Sequence, residues 1–356
     1  MAWKPKDKQL TEEEAINLAK VELSKYWHGT SPLLSAVPDE FGSASIFPLD
    51  KTFFDHTWII FFINPTDFSG ETTLHYAREI YRRYQSKKVN LLLVIRPQYP
   101  FYLERPIVEN FLRKMQIPFY AVVDVDNLLA KSFKISEYPT VIYHDGKQIV
   151  YRGDGITWIE NGELILQKYL RQTDPGLPLL NPFSPGSVCH KDVYTMEFGY
   201  GKGVTFPSPG FHEEGGFLKA DFPAFTRQDM MAVGALQISG KWIQDEHKII
   251  THDPNAVMAF RTPTSYFSVV AQCPIIVTDP MKISIESNNK PVPDLFGGED
   301  FRYDDNGLSY ISIFGPRLYY GLIKLPGKER QLTLRFPSAD TAPVCLYGFR
   351  FSEIFS

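Results

Sequence analysis

The spacing of apolar positions changes character once along the chain, and the change separates two kinds of structure. Up to about residue 173, apolar residues recur at helical spacing between short, continuously apolar runs. Beyond about residue 187 they fall in short runs broken by Gly, Pro and Asn. The first pattern predicts helices alternating with buried strands, and the second predicts many short strands. Thr11 and Glu14 form a capping box, and Ala15, Ile16, Leu18, Ala19, Val21, Leu23 and Trp27 predict a helix behind it. Trp58–Ile63 is too continuously apolar for a half-exposed strand and reads as a central one covered on both faces. A helix from Gly70 to Lys87 follows, with Leu74, Ala77, Ile80, Tyr81 and Tyr84 at helical spacing.

The alternation then continues as strand Val89–Ile95, helix Arg105–Met115, strand Phe119–Val125, short helix Asn127–Phe133 and strand Thr140–His144. Asp145-Gly146 predicts a tight turn into strand Gln148–Tyr151, and helix Ile159–Gln172 ends the region. Residues 174–187 carry four prolines and two glycines up to Gly186 and read as a semi-rigid linker. The remainder, 188–356, predicts strands at Ala235–Ile238, Val257–Arg261, Tyr266–Ala271, Met281–Ser287, Leu308–Ile313, Tyr319–Lys324, Gln331–Phe336 and Val344–Phe351. The expected fold class is therefore α/β plus all-β: an α/β domain over 1–173, the linker, and a jelly-roll or β-sandwich domain.

Composition narrows the function classes. Hydrophobic content of 44% and charged content of 22% describe a globular chain. A formal net charge of −4 gives no reason to expect nucleic acid as partner. No run is long enough to span a bilayer, and no signal peptide is legible at the N-terminus. The expected location is cytoplasmic for the chain as it stands, and extracytoplasmic if it is a mature form. Cys189, Cys273 and Cys345 are widely spaced and odd in number, which is neither a disulfide framework nor a zinc pattern. No cofactor or metal is expected. His247 and His252, with Asp245, Glu246 and Asp253, read as a solvated loop, and Asp304 to Gly307 reads as a hairpin turn. Arg78, Arg82, Arg83, Lys87 and Lys88 read as a solvated helix face, although such a cluster also suits anions.

Two segments carry a resemblance to the thioredoxin family. The run from Trp58 to Gly70 is similar to the strand, turn and helix start that hold the family's Cys-x-x-Cys pair. Aligned on Phe62, the dithiol falls at Asp67, Phe68, Ser69 and Gly70. The run from Phe133 to Gly153 resembles the family segment in which a cis-proline loop precedes a hairpin, with Tyr138, Pro139 and Thr140 at the loop. The resemblance implies a groove beside Pro139 and Phe68 that receives an extended peptide. Yet there is no cysteine in the first 188 residues, and disulfide exchange needs an attacking thiolate and a resolving thiol. Asp67 or Ser69 reads as a helix N-cap. The domain is either a retained binding groove or an inert fold.

The C-terminal region resembles the β-sandwich attached to thioredoxin modules in DipZ-like bacterial redox proteins. The stretches Ala235–Trp242, Ala256–Arg261, Leu318–Ile323 and Leu346–Phe351 carry it. That sandwich is similar to carbohydrate-binding modules, which implies glycan binding by analogy, with Trp242 the candidate platform and a core position its other reading. The function expected is a redox-inactive binding or scaffolding module for a peptide, protein or glycan. The alternative is a thiol-disulfide oxidoreductase whose thiol comes from Cys189 of the second domain.

Overall fold

The computed structural model describes residues 37–38, 44–45, 57–85, 89–145, 148–183, 190–200, 212–214, 217–222, 235–273, 279–325 and 330–354. The helix expected near Thr11–Trp27 and the residues Gly146, Gly186 and Cys189 lie outside them. The chain divides into two compact units, Met1–Cys189 and His190–Phe355.

In the first unit the elements run β1 (Thr57–Ile63), α1 (Phe68–Tyr84), β2 (Val89–Ile95), α2 (Arg105–Lys114), β3 (Tyr120–Val123), α3 (Leu128–Ser132), β4 (Thr140–His144), β5 (Ile149–Asp154) and α4 (Trp158–Thr173). The sheet order is β3-β2-β1-β4-β5. β1, β2 and β3 are mutually parallel, and β4 and β5 join antiparallel. β1 sits at the centre, and its residues from Trp58 to Ile63 are all buried, as a strand covered on both faces requires. Alternate residues feed opposite layers. Trp58, Ile60 and Phe62 join Leu129 and Phe133 in one cluster. On the other face, Phe61 meets Trp158 of α4 with ring centroids 5.7 Å apart. Tyr76 of α1 stands edge-on to the same indole at 4.9 Å.

Helix α1 begins two residues earlier than the apolar period predicts. Phe68, Ser69 and Gly70 form its first turn and are buried there by the loop before it. A Cβ on Gly70 would stand 2.4 Å from the Asn64 carbonyl oxygen, so only glycine lets this turn approach that loop. The segment read as a linker is held down over its first part. Gln167, itself buried, donates from Nε2 to the Leu180 carbonyl at 2.9 Å and accepts from the Leu180 amide at 2.9 Å. Arg83 donates to the Asn181 carbonyl at 2.8 Å, and the Phe183 ring lies 5.6 Å from that of Tyr76.

The second unit is all β, and every strand pairing described in it is antiparallel. One sheet runs from strand Phe301–Tyr303 through Ser309–Ile313, Met281–Ser287, Arg330–Arg335 and Val257–Thr262 to Leu236–Gln244. The other continues from Leu236–Gln244 through Ile249–Thr251, Val344–Ile354 and Tyr266–Gln272 to Arg317–Leu322. Leu236–Gln244 serves both: residues 236–239 pair with Val257–Phe260, and residues 240–244 pair with Leu218–Phe222. Gly240 stands at the changeover with φ +86°, a left-handed value that costs a glycine little. Sequence patterning ends this strand at Ile238, before the glycine, because the bend interrupts the alternation. Between the sheets, Phe260 contacts Phe267, Phe349 and Phe351 at centroid separations of 5.2, 5.0 and 5.5 Å. Burying one such ring contributes about 1.5–3 kcal/mol, so this cluster is a principal source of the unit's stability.

Candidate functional site

The parallel strands β1, β2 and β3 end in register, with Ile63 beside Ile95 and Ile95 beside Val123. The next residues, Asn64, Arg96 and Asp124, therefore form a row along the carboxyl edge of the sheet. Two backbone bonds fix the row: Arg96 N–H donates to the Ile63 carbonyl at 2.9 Å, and Asp124 N–H to the Ile95 carbonyl at 2.9 Å. β4 enters at the same edge, where Thr140 stands opposite Phe62. Ligands of open α/β sheets bind in the crevice outside this edge.

Asn64 organises the positions aligned with the dithiol. Its Nδ2 donates to the Asp67 carboxylate at 2.7 Å and also to Gln98 Oε1. Its Oδ1 accepts from the Thr66 hydroxyl at 3.0 Å, and the same hydroxyl lies 3.0 Å from Gln98 Oε1. Asp67 occupies the N-cap position of α1 with extended backbone, but its carboxylate makes no capping bond. Of the two N-cap candidates it is therefore Asp67 that holds the position, without the capping bond expected of it, because the carboxylate turns back to Asn64. Ser69 lies inside the helix and is buried. Phe68 is 4% exposed, which removes it from any open groove.

Across the edge, the Tyr138–Pro139 peptide is cis. Pro139 and Thr140 are buried and Tyr138 is half-buried. The Thr140 hydroxyl donates to the Glu137 carbonyl at 2.7 Å and to Asp154 Oδ1 at 2.9 Å, which pins the loop to the start of β4 and the end of β5. Among the described residues, the Tyr138 backbone amide and carbonyl make no hydrogen bond. The Arg96 guanidinium lies over the Tyr138 ring, 5.0 Å from its centroid. Burial raises the Tyr138 hydroxyl above the usual range, Arg96 pulls it back and Asp124 adds to the rise. Asp124 is spent on α3, accepting from the Leu129 and Ala130 amides at 2.8 Å each.

The basic face of α1 is partly offset by its own Glu79. Glu79 accepts from Arg82 at 2.5 Å and from Arg83 at 2.8 Å, and these bonds hold its carboxyl down at about 2. Arg78 donates to the Met115 carbonyl at 3.0 Å. Lys87 and Lys88 lie outside the described residues.

In the second unit Trp242 is 1% exposed. Its indole N–H donates to the Ser239 carbonyl at 2.9 Å, and its ring stands edge-on to Phe336 at 5.3 Å. It is a core residue, and the glycan-platform reading of Trp242 is withdrawn because no sugar reaches a ring so enclosed. Asp245 accepts from the His247 and Lys248 amides at 2.8 Å each, a loop rather than a ligand set. Asp304 likewise accepts from the Asn306 and Leu308 amides at 3.0 and 2.8 Å, closing a hairpin turn. Among the described residues no group of His, Cys, Asp and Glu could hold a metal ion.

Cys273 and Cys345 are free thiols, both buried. Cys345 stands opposite Gln272, so Cys273, one residue on, projects from the other face of the sheet. Burial pushes the Cys345 thiol up to about 11 and raises Cys273 as well. An aromatic disulfide reagent at neutral pH is therefore expected to leave both unmodified in the native protein over minutes. Prompt modification of Cys273 or Cys345 would contradict the burial described here.

Asn64, Arg96, Gln98 and Asp124 belong to no motif legible in the chain. Their signal is positional: each lies at or just past the end of a parallel strand. The first unit has a thioredoxin-like fold, with a mixed sheet, an α1 start at the carboxyl edge and a cis-proline loop facing it. No family model matches the chain, and no curated protein matches it. Solved structures do resemble its N-terminal part. One is StoA from Bacillus subtilis, 17% identical, covering 38% of this chain and 96% of its own, with a TM-score of 0.30. Another is the thioredoxin domain of a thiol-disulfide oxidoreductase from Bacteroides vulgatus, 13% identical, covering 39% and 94%, at 0.30. A third is a secreted disulfide oxidoreductase of Mycobacterium tuberculosis, 10% identical, covering 35% and 84%, at 0.28. At these values the likeness adds nothing to the topology above, and no activity follows from it. Among the described residues no helix is long and apolar enough to cross a membrane.

Proposed function

We propose that the protein is a redox-inactive binding module, in which a thioredoxin-like domain receives an extended peptide at the cis-proline loop. One contrast carries this reading. The positions aligned with the dithiol hold Asp67, Phe68, Ser69 and Gly70, closed by the Asn64–Thr66–Gln98 bonds. The loop opposite keeps a Tyr138 backbone amide and carbonyl that nothing described engages. A peptide strand supplies the complementary donor and acceptor, as in other strand-addition modes. Gly70 adds a second obstacle to exchange chemistry, since any side chain there meets the Asn64 carbonyl oxygen. The all-β unit we assign to the DipZ-type sandwich as a companion module, with peptide rather than glycan as the ligand class.

The test is insulin reduction by dithiothreitol, run beside an active thioredoxin. The expected rate equals the reductant background. A clear rate that one cysteine-to-serine change abolishes would replace this reading with an oxidoreductase using a distal thiol.

A further inference from the structure

Of the three polar residues in the row at the carboxyl edge, two are committed. Asn64 is spent on Asp67, Thr66 and Gln98, and Asp124 on the Leu129 and Ala130 amides. Arg96 is different. Among the described residues no carboxylate lies within ion-pair reach of it, and the one ring or polar interaction its side chain makes is with the face of Tyr138. Two acidic side chains flanking the loop are occupied elsewhere: the Asp67 carboxylate accepts from Asn64, and Asp154 accepts from Thr140 and Arg152. Glu137 is exposed and points to Gly155, with Oε1 2.8 Å from where a Cβ on that glycine would stand. A guanidinium laid on an aromatic ring keeps its N–H edge outward, and that planar fork matches a carboxylate. Arg96 is half-exposed, so a ligand reaches it without prior unfolding.

We infer that Arg96 is a specificity determinant, selecting peptides that present a carboxylate to the Tyr138 side of the cis-proline loop. The inference rests on the peptide-binding reading above and adds the ligand's chemical class. A charged residue sits on the binding edge of a site with no chemistry to perform, so its consequence is choice of ligand.

The experiment is affinity selection of random decapeptides by the full chain, with Arg96→Gln and Arg96→Lys selected in parallel. One library has a capped C-terminus and a second a free one. The wild type is expected to enrich Asp- and Glu-containing peptides from the capped library, binding about ten- to a hundredfold tighter than their Asn and Gln counterparts. Arg96→Gln should abolish the preference and retain the neutral binders, which also reports that the variant is folded. Arg96→Lys should keep part of it, having charge without the fork. Enrichment only from the free C-terminal library would make the terminal carboxylate the recognised group and still place it on Arg96. Peptides enriched with no acidic bias, or a bias surviving in Arg96→Gln, would overturn the inference and leave peptide binding standing. No enrichment from either library would overturn both.

Discussion

Glu163→Gln is expected to lower the unfolding free energy by about 2–3 kcal/mol, the range for hydrogen bonds to a charged group, since Arg83 keeps Glu79 as a partner. Glu163 is fully buried on α4, yet it serves three donors. Oε1 accepts from Arg83 at 2.8 Å and from the Tyr84 hydroxyl at 2.8 Å. Oε2 accepts from the Phe183 amide at 2.5 Å. A glutamine carries one acceptor and one donor in place of two acceptors. Whichever way the amide turns, an N–H faces another N–H, either that of Phe183 or that of Arg83, and the surviving bonds lose their charge assistance. The effect has an address as well as a size. Gln167 keeps its grip on Leu180, but the Phe183 end of the segment loses its anchor, so amide exchange there should rise before exchange in β1. Urea unfolding of the full chain gives the free energy and hydrogen exchange gives the location. A loss below about 1 kcal/mol, the level of an ordinary neutral hydrogen bond, would show that the carboxylate's charge is not what holds this corner together.

Arg350→Ala should cost about 3–5 kcal/mol in the all-β unit. Arg350 is fully buried on the long strand Val344–Ile354. Its Nη2 lies 2.9 Å from Glu197 Oε1 on the neighbouring strand, and its Nη1 donates to the Phe349 carbonyl at 3.1 Å. Truncation removes the cation that balances Glu197 and leaves a cavity the size of the side chain. Arg350→Met separates the two contributions, because methionine refills most of the volume without the charge. It should recover about half of the loss or more if the cavity dominates, and little of it if the ion pair does. Unfolding curves of the two variants against wild type decide between them. An Arg350→Ala protein as stable as wild type would mean that the burial and pairing of this side chain carry no net stability.

How far these features can be read from the chain depends on whether their cause is local. The central strands are legible because Trp58–Ile63 and Val89–Ile95 are apolar without interruption. In a strand, side chains alternate between faces, so an unbroken apolar run needs cover on both sides. The loop before β4 is legible because proline, strand and hairpin turn arrive in order at Pro139, whereas its cis peptide comes only from the structure. The absence of a thiol at the dithiol position is a matter of composition alone. Three things are not legible. The early start of α1 depends on Gly70 packing under the Asn64 carbonyl, a contact between loop and helix that no helical period registers. Strand Leu236–Gln244 runs on through Gly240 because the residue bends one strand into two sheets, whereas locally a glycine looks like an end. Trp242 reads as a core residue first and a platform second, and only its burial decides, because an indole after a glycine has the same letters in a core and on a surface.

The order of elements, the division into an α/β and an all-β part, and the absence of cysteine from the first 188 residues are thus written in the chain, since each follows from period or composition. Which polar residues are spent and which remain available is written only in the assembled sheet. Asn64, Arg96 and Asp124 are separated by some thirty residues each, and nothing in the chain relates them. The parallel register of three strands places them side by side, and neighbouring groups then consume two of the three. Availability is a property of what surrounds a side chain, and that is settled when the sheet forms.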